Sequence, residues 1–421
     1  MPESSRISVV GLGYVGLPLA VAFARHFPVL GYDRDAQRVA ELRECRDRTG
    51  EVDRATLSAS TLDLADDAAA MAGSDVFVIT VPTPVDADNR PDLNALRAAS
   101  RTVGQQIGEG ALIVVESTVY PGVTETICGP EIAAASGLVC GKDFVLGYSP
   151  ERINPGDREH TVERITKVVA GQTEAATERL AALYGAITSG GVHVAPDIMT
   201  AEAAKVIENA QRDINIAFIN EVTHICHRLG IAAHDVVDAA ATKWNFFDFR
   251  PGLVGGHCIG VDPFYLAYRA RELGHEPEII LAGRRINDSM GHFVAEEIAR
   301  AVSAGRTLVL GVTFKENVPD LRNTRVLDII RGLAAQGFEV DVHDPLADAE
   351  EAAENYGITL MQSLAKARDY DVVIGAVAHD EYRGFTAATF SRLAAPGALI
   401  ADVRGMWRNA ELPKGMRRWQ L

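Results

Sequence analysis

Hydrophobic and polar positions fall into three textures along the chain. The first 150 or so residues repeat one theme, a short run of β-branched and apolar residues followed by a mixed, helix-spaced stretch. RISVVGLGYVGLPLAVAFA reads as strand, glycine turn and helix, and VLGYD supplies the next strand. DVFVITV (75–81), ALIVVEST (111–118) and DFVLGYSPE (143–151) are further strands, with a helix starting near Pro91. This alternation predicts a doubly wound parallel sheet. After Pro196 the texture changes. TAEAAKVIENAQRDINIAFINEVTHICHRLGI holds no Gly or Pro until Gly230, which predicts one long helix. Its apolar residues Val206, Ile207, Ile214, Ile216, Phe218 and Ile219 predict that this helix is buried. A second strand–helix series opens at RTLVLGVTFK (306–315) and continues through FEVDVHDP (338–345), DVVIGAVAHD (371–380) and ALIADVRG (398–405). The expected class is α/β, two doubly wound domains joined by a helical middle, with no short-period repeat.

Composition narrows the class of function. A chain of 421 residues exceeds one ordinary core, so two or three domains are expected, and 47% hydrophobic with 23% charged residues suits a globular protein. The formal charge of −16 excludes a nonspecific nucleic-acid binder, so anionic ligands must be held by local sites. No apolar run approaches the ~20 residues that span a bilayer, and the N-terminal apolar stretch is a strand and turn, not a signal peptide. A cytoplasmic protein with no membrane partner is expected. The cysteines at 45, 128, 140, 226 and 258 form neither a CxxC pair nor a ligand cluster, which suits reduced thiols and no metal. His224, Cys226 and His227 lack a third clear ligand and read as helix surface or packing.

Gly11, Gly13 and Gly16 form GxGxxG between a strand and a helix, with Asp33 ending the next strand. In that context Gly11 permits the turn, Gly13 admits a pyrophosphate, Gly16 allows close helix packing and Asp33 accepts from a ribose diol. Asp33 favours NAD over NADP because a carboxylate repels a 2′-phosphate, while Arg34 beside it leaves NADP acceptance open. VPTP (81–84) and EST (116–118) each pass for strand-to-loop punctuation, yet both end strands at the carboxyl edge that the glycine loop shares, and Thr118 is the better polar contact. Lys205 and Asn209, near Glu202 and Glu208, lie four apart on one face of the long helix. On an exposed helix that is a solvated face; on a buried one each needs a partner or a purpose. Cys258, in GGHCIGVDP, is a small core residue or a nucleophile. Gly255, Gly256 and Gly260 let substrate approach it, and Lys205 or His257 could lower its thiol pKa. A cysteine nucleophile beside a nucleotide-redox domain points to oxidation past the aldehyde, a four-electron reaction.

With these motifs in hand, the chain closely resembles the UDP-glucose/GDP-mannose dehydrogenase family from about residue 6 to about residue 410: GLGYVGLPLA, VPTP, EST, KVIENAQRDINIAFINE, GGHCIGVDP and FKENVPDLRNT occur in family order. The resemblance implies a Rossmann-like NAD-binding domain at 1–196, a central long-helix dimerisation and catalytic domain at 197–300, and a Rossmann-like UDP-sugar domain at 301–421. The partners it implies are a UDP-sugar, bound between the two Rossmann-like domains, and a second copy in a homodimer. It further implies that Cys258 captures the C6 aldehyde, Lys205 and Asn209 stabilise oxyanions, Asp262 helps activate water, and Thr118 and Glu151 position water and move protons. Tyr14, Val15, Arg38, Thr83 and Arg322 join the glycines, Asp33 and Thr118 as implied cofactor contacts. Arg152, Arg250, Gly255, His257, Lys315 and Arg404 join Glu151, Lys205 and Asn209 as implied substrate contacts, Arg250 in its own or the neighbouring subunit's site.

Two departures bear on the substrate. Family members acting on UDP-glucose commonly read GGxCxPKD and SPEFLREG, whereas this chain reads GGHCIGVDP and SPERINPGD, with Pro155 in place of the second glutamate. The variants resemble the branch oxidising UDP-N-acetylhexosamines for surface polysaccharide, and TKWNFFDFRPGLVGGHC resembles the N-acetylglucosamine and N-acetylgalactosamine enzymes more than the mannosamine ones. UDP-N-acetylglucosamine is the favoured expectation. UDP-N-acetylgalactosamine, UDP-N-acetylmannosamine, UDP-glucose, a two-electron dehydrogenase with a structural Cys258, and a nonenzymatic nucleotide sensor are the alternatives.

Overall fold

A computed structural model describes residues 5–152, 159, 161–256 and 258–421. The chain forms two compact units, Met1–Glu208 with Phe264–His275, and Asn209–Pro263 with Glu276–Leu421.

The first unit is built on β1 (Ile7–Val10), β2 (Val29–Tyr32), β3 (Asp63–Ala65), β4 (Val76–Ile79), β5 (Ala111–Val115), β6 (Phe144–Tyr148), β7 (Lys167–Gly171) and β8 (Val192–Val194). Their order is β3-β2-β1-β4-β5-β6-β7-β8. The first six pair in parallel, in the order of a doubly wound nucleotide-binding sheet. Every residue of β1, β4 and β5 is buried, so these strands read as unbroken apolar runs. The sheet departs from the all-parallel expectation at one seam. There β7 pairs antiparallel to β6 through Gly147 with Gly171 and Tyr148 with Ala170, and β8 continues parallel to β7.

The long helix runs Ile198–Leu229 and stops at Gly230, whose φ of +69° is the left-handed conformation that ends helices. The division between the units falls within it. Its burial differs from expectation: Val206 and Ile219 are buried, but Ile207 and Phe218 are 53% and 58% exposed. The buried face is instead substantially polar, holding Asp213, Asn220 and Thr223.

In the second unit, β9 (Arg306–Leu310), β10 (Glu339–His343), β11 (Tyr370–Gly375), β12 (Ala394–Asp402) and β13 (Arg417–Gln420) form a wholly parallel sheet in the order β10-β9-β11-β12-β13. This is the other common doubly wound order. Separate apolar clusters pack around it, one with Met290, Ile298 and Leu333, the other with Tyr382, Phe390 and Trp407. Beside the sheet, a buried polar clasp joins the long helix to the helix Glu278–Ala301. Arg284 donates to Asp213 Oδ1 at 2.5 Å, and Asn287 donates to the same oxygen at 2.7 Å. Asn220 donates to Asn287 at 2.8 Å and to the Gly252 carbonyl at 3.0 Å. His224 stacks on Phe293 with centroids 4.0 Å apart, which is the packing role expected of it.

Burial pushes the Asp213 carboxyl up, against the pull of Arg284. Removing the cation leaves a carboxylate in a dry interior. Arg284→Met is expected to destabilise the protein by about 3–5 kcal/mol, read as a fall in the thermal unfolding midpoint.

Candidate active site

The glycine loop is held from below. Gly11 adopts φ +96°, and its amide donates to the Tyr32 carbonyl at 2.8 Å. A Cβ on Gly16 would fall 1.8 Å from the Gly11 carbonyl oxygen and 2.4 Å from Thr80 Oγ1, so only glycine fits. A Cβ on Gly13 would meet nothing within 4 Å. Tyr14 and Val15, both half-buried, lead into the helix Gly16–Ala24, whose first turn has no acidic residue. Asp33 accepts from the Leu12 amide at 2.8 Å and the Asp35 amide at 3.0 Å. Arg38 is buried beneath the loop, where Nε donates to the Leu12 carbonyl at 2.9 Å and Nη2 to Asp47 at 2.7 Å. Its remaining nitrogen, Nη1, is buried without an acceptor among the described residues. An open glycine, a helix N-terminus, a carboxylate and an orphaned guanidinium donor together fit a dinucleotide.

The VPTP and EST segments meet at the same sheet edge. Thr83 Oγ1 donates to the Thr118 carbonyl at 2.7 Å, and Ser117 Oγ to the Val81 carbonyl at 2.6 Å. Tyr265 OH donates to the Thr83 and Pro84 carbonyls at 2.8 and 3.0 Å. The loop after Thr118 is anchored by Glu202, which accepts from the Gly122 amide at 2.5 Å and the Thr124 amide at 2.9 Å. Burial pushes the Glu202 carboxyl up to about 7 despite these bonds.

Glu151, just beyond β6, is buried. Its backbone carbonyl accepts from Lys205 Nζ at 2.5 Å, and its Oε1 from the Arg152 amide at 2.5 Å. Arg152 pairs with Glu208. Glu151 also meets a residue absent from the motifs: Lys167 Nζ lies 3.0 Å from Glu151 Oε2 and 3.2 Å from Glu116 Oε2. The only sequence signal for Lys167 is a charge heading the strand-forming run KVVAG.

In the second unit, Asn209 Nδ2 donates to Asp262 Oδ2 at 2.5 Å. The half-buried Cys258 opens a turn whose carbonyl accepts from the Val261 and Asp262 amides at 3.0 and 2.8 Å. This segment is clasped by the FKENVPDLRNT loop, since Gly256 donates to the Arg322 carbonyl and Asn323 Nδ2 to the Gly256 carbonyl, both at 3.1 Å. A Cβ on Gly255 would lie 2.8 Å from the Asn323 carbonyl oxygen. Arg322 forks onto Asp320, with Nη2 at 2.5 Å. Lys315 is half-buried, and its carbonyl accepts from Thr313 Oγ1 at 3.1 Å. Arg250 pairs with Asp238 at 2.5 Å and Asp248 at 2.6 Å, while Arg404 lies 3.8 Å from Glu316 and packs over Gly252. His257 and Pro155 lie outside the described residues.

Family models match in chain order: the UDP-glucose/GDP-mannose dehydrogenase NAD binding domain at 5–188, its central domain at 199–289 and its UDP binding domain at 308–409. The chain belongs to the UDP-glucose/GDP-mannose dehydrogenase family. It is an NAD-dependent UDP-sugar dehydrogenase, an oxidoreductase whose cofactor is NAD. It is 49% identical to the UDP-N-acetyl-D-glucosamine 6-dehydrogenase of Pseudomonas aeruginosa, covering 95% of this chain and 96% of that one. It is 47% identical to protein CapL of Staphylococcus aureus over 99% of both chains. The solved UDP-D-ManNAc dehydrogenase of Pyrococcus horikoshii matches with a TM-score of 0.88 at 30% identity, covering 99% and 98% of the two chains. Among the described residues of this dehydrogenase, no helix is long and apolar enough to cross a membrane.

The glycines separate two effects. Gly13→Ala is expected to leave stability within about 0.5 kcal/mol yet weaken NAD binding at least about tenfold, because its Cβ points where the pyrophosphate must approach. Gly16→Ala forces the loop off its seat and should lose both NAD binding and about 1–3 kcal/mol of stability. Calorimetric NAD titration and thermal unfolding of both variants check this.

Proposed function

We propose that this dehydrogenase oxidises the C6 hydroxyl of a UDP-N-acetylhexosamine, UDP-N-acetylglucosamine by preference, to the uronic acid used in surface polysaccharide. One contrast carries the sugar assignment: 49% identity to a UDP-N-acetyl-D-glucosamine 6-dehydrogenase against 30% to a UDP-D-ManNAc dehydrogenase. The cysteine route rests on Cys258 in a glycine-rich segment just before Asp262, which is itself bonded to Asn209.

Bound NAD supplies the hydride acceptor for each of the two oxidations. The first removes a hydride from C6 and a proton from its hydroxyl, with Glu151 as acid–base residue and Thr118 as its polar neighbour in role. The Cys258 thiolate then adds to the aldehyde carbon, and Lys205 and Asn209 steady the thiohemiacetal oxygen. Loss of the second hydride and the hydroxyl proton leaves a thioester. Water, activated with the help of Asp262 and positioned by Thr118 and Glu151, adds to the carbonyl; the carbon–sulfur bond breaks, releasing the uronate and the thiolate. In this reading NAD is held by residues 1–196, including Arg38, Thr83 and Asp33, with Arg322 reaching the cofactor from 301–421. The UDP-sugar is met by Arg152, Arg250, Gly255, His257, Lys315 and Arg404, and residues 197–300 carry dimerisation.

A cytoplasmic homodimer is part of the same reading. Phe218, Ile225 and Leu229 are 58%, 52% and 66% exposed, and their spacing of seven and four residues puts them on one stripe of the long helix. A second copy covering that stripe would remove a continuous apolar face from water.

With limiting UDP-N-acetylglucosamine the enzyme is expected to form about two NADH per sugar consumed, faster than with the galacto, manno or glucose analogues, and Cys258→Ala to make no uronate. Absorbance of NADH with chromatography of the product checks this. One NADH per sugar, or uronate from Cys258→Ala, removes the thioester route.

A further inference from the structure

Beneath Glu151 lies a buried group of charges that the reaction scheme above does not use. We propose that Lys167 is a positioning residue that fixes the aim and the charge of the Glu151 carboxylate, with Glu116 as its electrostatic counterweight. This rests on the acid–base role proposed for Glu151.

The Lys167 side chain is fully buried at the start of β7. Its ammonium has three hydrogens and three oxygen acceptors: Glu151 Oε2 at 3.0 Å, Glu116 Oε2 at 3.2 Å and the Pro150 carbonyl at 3.2 Å. Its Nζ also stands 5.0 Å from the ring centre of Tyr184, whose hydroxyl donates to Glu116 Oε1. The groups facing Glu151 are therefore Lys167 from β7, Glu116 beyond β5, Tyr184 from the helix Glu174–Gly185, Arg152 through its amide, and Lys205 from the long helix. Two carboxylates share one central cation, and a dry site disfavours the second negative charge. Their titrations split accordingly. Burial pushes Glu116 up to about 7 against the pull of Lys167, with Glu151 adding repulsion. For Glu151 burial acts upward too, but the Lys167 ammonium and its hydrogen bond outweigh it and hold the carboxyl below its ordinary value. Burial favours loss of the Lys167 proton, and the two carboxylates more than reverse this. Glu151 thus rests ionised and ready to accept a proton, its Oε2 and the preceding Pro150 carbonyl held by Lys167 and its own carbonyl by Lys205.

The test is kcat against pH at saturating NAD and UDP-N-acetylglucosamine for the wild type, Lys167→Met, Lys167→Gln, Lys167→Arg, Glu116→Gln and Glu151→Gln. Without the neighbouring cation Glu151 keeps its proton to higher pH. The acid limb of Lys167→Met is therefore expected to move up by about 1–3 pH units, with kcat at neutral pH down at least about tenfold and KM values within about threefold. Lys167→Arg, which keeps a cation, should return the limb towards its wild-type position. Glu116, held up to about 7, already carries its proton where Glu151 titrates, so Glu116→Gln should leave the acid limb in place; Lys167→Gln, which removes the charge but keeps a polar side chain, carries the test if Lys167→Met does not fold. A uniform loss of activity with the limb unmoved in the variants that remove the Lys167 charge, or a limb that moves as far in Glu116→Gln as in those variants, overturns the proposal. Full activity in Glu151→Gln would instead remove the parent role, a result distinct from an unmoved limb in the variants that remove the Lys167 charge.

Discussion

Where parallel strands end, their last carbonyls and amides lose the ladder and must be paired some other way. In the first unit that pairing is done by side chains, and it shapes the cofactor edge. Thr80 Oγ1 donates to the Val10 and Gly11 carbonyls at 3.0 and 2.7 Å, tying the glycine loop to the end of β4. Ser117 ties the end of β5 to Val81, and Thr83 ties VPTP back to Thr118. Tyr265 closes the row from outside the sheet, and Glu202 takes up the amides of the next loop. Each loop is thus held by its neighbour. The hydroxyls that read as strand-end punctuation in VPTP and EST carry this pairing, which leaves the glycine loop shaped before any ligand arrives.

The second sheet repeats the design and closes it. Gly311 adopts φ +90° and donates to the His343 carbonyl at 2.8 Å, as Gly11 does to Tyr32. The next two glycine positions are occupied by Thr313 and Glu316, so the backbone opening that Gly13 provides is missing. Asp344 stands where Asp33 stands in the first sheet, but it is saturated from within. Its oxygens accept from the amides of Val312, Thr313, Leu346 and Ala347 at 2.7–3.1 Å, and from His379 at 3.1 Å. Burial opposes its charge, yet the His379 contact and these amides hold the carboxyl well below the ordinary range. A carboxylate so engaged has little left to offer a ribose.

Strands that are buried on both faces were legible in sequence, because burial writes itself as unbroken β-branched runs. The strands β3, β7, β8 and β13 were not: β3 and β8 are three residues long and largely uncovered, β13 opens with two arginines, and β7 begins with a lysine. Lys167 illustrates the limit. Its partner Glu116 lies 51 residues away, and only the β5-β6-β7 neighbourhood makes the contact. The long helix shows the opposite difficulty. Its length and its end at Gly230 follow from local signals, but apolar residues lie on several of its faces, so periodicity alone could not tell that Asp213 and Asn220 turn inward while Phe218 turns outward. The glycine loop was legible because steric needs fix residue identity; the ion pairs of Arg250 and Arg322 were not, because any acid nearby in space serves.

Three buried cations recur under three important segments: Arg38 under the glycine loop, Lys167 under Glu151, and Arg284 between the paired helices. Burying an ion pair costs desolvation that an apolar pair of similar volume avoids, so stability alone is a weak reason for keeping one. Direction is a better reason. Arg38 donates to the Leu12 carbonyl and Lys167 to the Pro150 carbonyl, backbone groups immediately beside the functional positions, and an apolar residue could fill either space without holding those carbonyls in place. Arg284 donates to the side chains of Asp213 and Asp288, and Asp213 also accepts from Asn287. The first two cations therefore constrain where the chain runs at a site, whereas the third fixes how two helices meet. That distinction is visible in which atoms accept the hydrogen bonds, and it separates charges that shape chemistry from charges that shape the fold.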